Sequence, residues 1–207
     1  EKLVYGGLTK VFAGIVIAPI GGLIVGVLLT GLIITVFANR KPAPVNKIFG
    51  RLQIISSAWF ALTHGANDGQ KTMGIIALIL FSAGMIPELD IPIWVIFAAA
   101  AAMGLGTFFG GYKVIKTLGV KITRLKPYQG FAAETGGGIM LAAFAVLGIP
   151  ASTTHAITGT IMGSGAARRK RAVRWNVSRQ IVFSWIITIP GAAGMGIGFT
   201  YLIHLFV

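Results

Sequence analysis

An all-α, polytopic integral membrane protein is the fold class this sequence predicts, and three observations carry the prediction. Of 207 residues, 55% are apolar and only 11% charged, against roughly 25% charged in soluble domains. That excludes an ordinary water-soluble enzyme. Uncharged apolar runs recur at lengths that cross a bilayer. Finally, all Lys and Arg but Lys2, Lys10 and Lys71 fall into three groups between those runs. These are Arg40, Lys41, Lys47 and Arg51, then Lys113, Lys116, Lys121, Arg124 and Lys126, then Arg168, Arg169, Lys170, Arg171, Arg174 and Arg179. A net charge of +13 spread over a surface would suggest nucleic acid. Grouped beside spans, it reads as cytoplasmic loops that set orientation. Membrane lipids are therefore expected partners, through their head groups, and nucleic acid is not. The absence of cysteine removes disulfides, thiol catalysis and cysteine-ligated metals.

The elements follow in order. The chain opens at Glu1 without Met or a signal-peptide pattern, so a piece of a longer protein, or a processed one, is expected. Residues 11–38 carry no charge and exceed the ~20 residues a span needs, with Pro19 as an expected kink. Residues 93–112 form a second clean span, entered from the acidic PELDIP loop at 87–92. The last apolar stretch, 180–207, is interrupted by Pro190 and Gly191. Basic loops occupy about 39–51, 113–127 and 166–179, and the whole of 1–207 reads as one transmembrane domain.

Two regions are not simple spans. Residues 52–86 hold HGANDGQK in their middle; an unbroken helix there would run about 52 Å, against a hydrocarbon core of roughly 30 Å. A break at Gly65 and Gly69 is expected. Residues 129–167 pass through GIPASTTH, where Pro150 ends one helix and Ser152 caps the next. If all basic loops lie on one side, 52–86 crosses once and 129–167 an even number of times. A re-entrant hairpin with its tip at 148–154 meets that condition. Irregular backbone at membrane depth marks a wet cavity or a protein-lined site, and discontinuous helices around a midplane site are a recurring device of secondary transporters.

The polar residues at these breaks carry the chemistry. Asp68 and Lys71 are ionisable groups inside an apolar segment, each costly unless partnered. They either neutralise one another, or Asn67 and Asp68 offer oxygens to a small cation while Lys71 offers charge to an anion. A helix restarting after Gly69 would add free N–H groups. Ser152, Thr153 and Thr154 are either plain caps or an oxyanion cradle. Glu134 either pairs with Lys126 near the interface or acts as a proton- or cation-coupling carboxylate. His64 and His155 stand behind the direct ligands. Glycines at i, i+4 (Gly22/Gly26, Gly106/Gly110, Gly159/Gly163, Gly194/Gly198) report close helix packing.

The blocks FALTHGANDGQKTMGIIAL, GFAAETGGG, GIPASTTHAITGTIMGSGAARR and AVRWNVSRQI, in this order, resemble the C-terminal half of the inorganic phosphate transporter (PiT) family, in its prokaryotic branch. The resemblance implies a multi-pass inner-membrane symporter of inorganic phosphate, coupled to Na⁺ or H⁺, without cofactor, metal centre or enzymatic step. It implies two inverted repeats, each with a broken helix and a hairpin, of which this chain is one. The partner would be the missing N-terminal repeat or a second copy. Asn67, Asp68, Ser152, Thr153 and Thr154 would then hold phosphate, and Asn67, Asp68 and Glu134 the coupling ion; Gln70 and Lys71, which the resemblance does not supply, are expected beside them in the phosphate site. Where many relatives have a small residue and Asn after GAND, this chain has Gly69, Gln70 and Lys71. Lys71 could stand in for a monovalent cation, which leaves the coupling ion open. Two other readings remain: an intramembrane enzyme acting on a lipid phosphate, with Ser152 or His155 as nucleophile or base beside Asp68, and a passive anion pore.

Overall fold

The computed structural model describes residues 5–205, which contain helices and no strand. In order these are α1 (Tyr5–Val36), α2 (Pro42–Ser82), α3 (Ile93–Lys116), a π-helical turn (Thr117–Ile122), α4 (Pro127–Val146), α5 (Thr153–Ala166), a 3₁₀ turn (Lys170–Ala172) and α6 (Trp175–His204). Residues up to Val173 form one compact unit, and those from Arg174, which include α6, a second. Glu1, Lys2 and the last two residues of the 180–207 stretch lie outside the described residues.

Among the described residues, three helices are long and apolar enough to cross a membrane: Thr9–Val36, Ile93–Tyr112 and Trp175–His204. They match the expected spans, but the last begins five residues earlier and is not interrupted. Pro190 lies inside α6, as Pro19 lies inside α1. A proline removes one helical hydrogen bond, and a membrane helix absorbs that loss by local adjustment. The basic segments are also less loop-like than expected. Pro42 starts α2 at its first turn, where proline's missing N–H is no loss, so 42–51 is helical. Residues 113–116 complete α3, and 175–179 begin α6.

Within the first unit, contacts between named residues give the helix directions. Along α1, Gly14 meets Pro150, Gly22 meets Gly159 and Gly26 meets Ser164, so α1 and α5 run parallel. Gly21 faces Met140 and Gly136 faces Val25, so α4 runs against α1. Phe49 packs on Phe131 and Asn67 reaches Leu141, so α2 runs with α4. The expected hairpin is present as α4, a turn at 147–152, and an antiparallel α5. Its turn needs Gly148, whose φ of 60° lies where side chains are disfavoured.

The core is built of small and flexible side chains: Ala18, Met140, Leu141, Phe144, Ala151 and Ala156. Backbones touch where α1 crosses α5. A Cβ on Gly159 or Gly163 would run into the carbonyls of Pro19 or Leu23, which is what small residues at helix contacts permit. Two of the four expected glycine pairs do this. Gly106/Gly110 and Gly194/Gly198 face open space among the described residues.

Candidate functional site

The polar run of α2 sits on an unbroken helix. α2 continues through Gly65 and Gly69 for 41 residues, or about 61 Å, so the expected break and the helix restart after Gly69 are corrected. A helical glycine costs only about 1 kcal/mol relative to alanine, which two positions can bear. The polar side chains also need no break, because neighbouring elements satisfy them. The Asn67 amide, 8% exposed, donates to the Thr63 carbonyl at 3.0 Å and to the Leu141 carbonyl of α4 at 3.3 Å. Lys71 Nζ donates to the Ala151 carbonyl in the hairpin turn at 2.7 Å and to Asp68 Oδ1 at 3.1 Å.

Asp68 is where α2 and the hairpin meet. The hydroxyl of Thr153, 3% exposed, donates to its Oδ2 at 2.9 Å. The His64 ring, one turn earlier, places Nδ1 3.6 Å from the same oxygen. That is an electrostatic contact, too long for a hydrogen bond. Asp68 and Lys71 are i, i+3 neighbours on one helix face, with side chains 30% and 42% exposed. The cluster is thus closed toward the hairpin and open on the other side.

The hairpin side is built by its turn. Pro150 cannot continue α4, and Ser152 caps α5, its Oγ accepting from the His155 N–H at 3.4 Å. The first turn of α5 therefore begins at Thr153, beside Asp68, with the backbone N–H groups of Thr153 and Thr154 at the same end. Those of α2 are not available, since that helix does not restart here.

The remaining expected residues divide. Gln70 and Thr154 are exposed, and neither makes a described side-chain hydrogen bond. Gln70, two positions from Asp68, lies on a different face of α2. His155 is buried and bonds to the Ile15 backbone of α1. It makes no ion pair with Asp68 among the described residues, so the carboxylate–histidine pair expected for a lipid-phosphate enzyme is not formed.

Glu134 forms a separate centre. Its Oε2 accepts from Ser56 at 2.6 Å and its Oε1 from Gln53 Nε2 at 3.3 Å; Lys126, the expected partner, is not bonded to it. Ser56 and Asp68 stand twelve residues apart on α2, about 18 Å along the axis. The structure therefore does not bring Glu134 to the Asp68 cluster. Gln53 and Ser56 were missed in the sequence, although a polar pair at i, i+3 in an apolar segment is a readable signal. The Ala151 and Leu141 carbonyls were missed too, and no side-chain pattern announces a backbone acceptor.

Comparison with known proteins gives a consistent picture. A model of the phosphate transporter family matches residues 35–196. A probable low-affinity inorganic phosphate transporter of Rhizobium meliloti (strain 1021) is 49% identical over 194 residues, 93% of this chain and 58% of the relative. One of Bacillus subtilis (strain 168) is 39% identical over 193 residues, again 93% and 58%. The chain thus spans a little over half the length of these two relatives. A solved structure described as the sodium-dependent phosphate transporter superposes with a TM-score of 0.63 at 26% identity, over 88% of this chain and 56% of that one.

Proposed function

The chain belongs to the phosphate transporter family, and from that premise we propose that it is one part of a secondary transporter that carries inorganic phosphate across the membrane in symport with H⁺ or Na⁺. The observation that carries the proposal is the 2.9 Å hydrogen bond from Thr153 to Asp68. It joins the polar face of α2 to the start of α5, two clusters 85 residues apart in sequence.

The geometry supplies complementary groups for an oxyanion and a cation. Thr153, Ser152 and the N–H groups of the first turn of α5 are donors suited to phosphate oxygens, and Lys71 adds positive charge. Asp68 repels the same anion unless a cation or proton neutralises it. Binding of phosphate and of the coupling ion are therefore linked through one carboxylate. The relatives' names and the solved neighbour's title support phosphate as cargo. The neighbour's sodium dependence favours Na⁺ as one of the two candidate ions, while Lys71 at the carboxylate favours H⁺. The three basic groups mark the cytoplasmic side of an inner-membrane protein, and α4–α5 enters the membrane as a hairpin. A passive pore shares the site but requires no gradient.

The test is uptake of radiolabelled phosphate by the full-length protein in proteoliposomes with an imposed pH or Na⁺ gradient. Asp68→Asn and Thr153→Val are each expected to abolish gradient-driven uptake while membrane insertion is retained. Near-normal uptake by Asp68→Asn refutes the assignment, and uptake indifferent to the gradient favours the pore.

A further inference from the structure

Far from the Asp68 cluster, at the end of the first unit where α1 stops and α4 begins, two cavities share Lys126 and Arg168 in their linings. The larger, about 360 Å³, has an apolar wall that includes Ile33 and Ile34 from the end of α1 and Phe37 just after it, together with Arg40, Lys126 and Arg168. The smaller, about 170 Å³, is bounded by Arg124, Lys126, Arg168 and Arg169. Gln129 forms part of its floor and is fixed there: its Nε2 donates to the Ser164 carbonyl at 2.8 Å, and its Oε1 accepts from the Lys126 N–H at 3.0 Å.

Five cations thus surround one space, and among the described residues none is ion-paired. The described lysine–carboxylate ion pair, Lys71–Asp68, lies elsewhere, and His64 also contacts Asp68. Glu134 is held by Ser56 and Gln53, and Glu88 and Asp90 lie in the loop at the other end of α2. Uncompensated positive charge lining a concave space focuses potential and draws anions. Arginine's planar fork matches phosphoryl oxygens with two parallel hydrogen bonds. The larger cavity also contains Asn46, whose Oδ1 is buried with no hydrogen-bond partner. Water or a ligand donor can satisfy this acceptor, and a hydroxyl beside a phosphoryl group is one such donor.

We propose that this basic end is a second anion site, built for a phosphoryl group and distinct from the transport site. The cations take the phosphoryl oxygens, Asn46 takes a hydroxyl, and the α1 wall takes apolar surface next to it. Two sources carry this chemistry: the head group of an anionic glycerophospholipid, which basic pockets at the cytoplasmic ends of membrane helices recognise, and free inorganic phosphate. The proposal does not rest on the transport reading.

The experiment uses the purified full-length protein and two probes. Fluorescent phosphatidylglycerol is titrated into phosphatidylcholine vesicles that contain the protein, and radiolabelled inorganic phosphate is measured by equilibrium dialysis in detergent. Arg124 and Arg168 are exposed, so the double variant Arg124→Gln, Arg168→Gln is expected to fold. Arg168→Lys, which keeps the charge but loses the fork, is the second variant. Weaker phosphatidylglycerol binding in the variants, by about tenfold or ~1.4 kcal/mol, with phosphate stoichiometry unchanged, identifies a lipid head group. Loss of one bound phosphate per chain with lipid binding unchanged identifies free phosphate. Loss of both supports a shared phosphoryl site. Wild-type binding of both probes by the folded variants overturns the proposal. Asp68→Asn, run in parallel, leaves binding at this end intact even if the transport reading fails.

Discussion

Under the transport reading, Lys71 is the residue on which coupling turns. Its ammonium lies 3.1 Å from Asp68 Oδ1 and 2.7 Å from the Ala151 carbonyl, and Thr153 binds the other carboxylate oxygen. These oxygens, a carboxylate, a backbone carbonyl and a nearby hydroxyl, are the donor types a hard cation also selects. A tethered ammonium already meets them, so under the transport reading no added cation is needed to balance Asp68 before phosphate arrives. Neutralising Lys71 vacates that position. Lys71→Gln is therefore expected to lower phosphate uptake in Na⁺-free medium by about tenfold, ~1.4 kcal/mol, and to make the remaining uptake respond to added Na⁺. The measurement is initial uptake rate against Na⁺ concentration at fixed pH gradient. Unchanged Na⁺-free uptake in the variant would show that the ammonium does not fill a cation's place.

Element by element, the site depends on how closely the hairpin can approach α1. Gly159 and Gly163 let α5 lie backbone-on-backbone against the Pro19–Leu23 segment, and this contact holds the start of α5 in position. Gly163→Ala forces a methyl group into the Leu23 carbonyl; overpacking of this kind typically costs about 1–3 kcal/mol. Gly106→Ala on α3 meets nothing within contact distance and gains helix propensity of up to about 1 kcal/mol. Thermal unfolding of the full-length protein in detergent is expected to show a lower midpoint for the first and an unchanged or higher one for the second. Equal midpoints would mean that the α1–α5 contact is not what holds the hairpin. The hairpin itself was legible in the sequence because its determinants are local: Pro150 stops a helix and Ser152 starts one. The unbroken α2 was not, because the groups that satisfy its polar run are distant in sequence. The Asn67 acceptor lies 74 residues away and the Lys71 acceptor 80, and hydropathy treats such side chains as orphans. Glu134 was legible as a candidate coupling carboxylate but not as a separate centre, since its distance from Asp68 follows from the parallel packing of α2 and α4.

For the molecule as a whole, topology follows from charge and helix direction together. α1 ends, α2 and α4 begin, and α5 ends at one end of the first unit, so Arg40, Lys126 and Arg168 line a single cavity although they come from three separate basic groups. The acidic loop that includes Glu88 and Asp90 lies beyond the far end of α2, and α3, 24 residues long, returns about 36 Å, enough to cross the hydrocarbon core of roughly 30 Å. Large apolar side chains are exposed along α1, α3 and α6, as expected of surfaces that meet lipid or further protein rather than water. If the basic groups all face the cytoplasm, α2 and α3 cross in opposite senses and α4–α5 goes in and returns. The chain has no cysteine, so single cysteines report sidedness without background from this half. In a full-length protein otherwise free of cysteine, Lys41→Cys, Lys121→Cys and Arg171→Cys are expected to react with a membrane-impermeant maleimide from the cytoplasmic side alone. Leu89→Cys is expected to react only from the opposite side. If Lys121→Cys and Arg171→Cys label from opposite sides, α4–α5 crosses an odd number of times and is not re-entrant; if Lys41→Cys labels together with position 89, α2 does not cross.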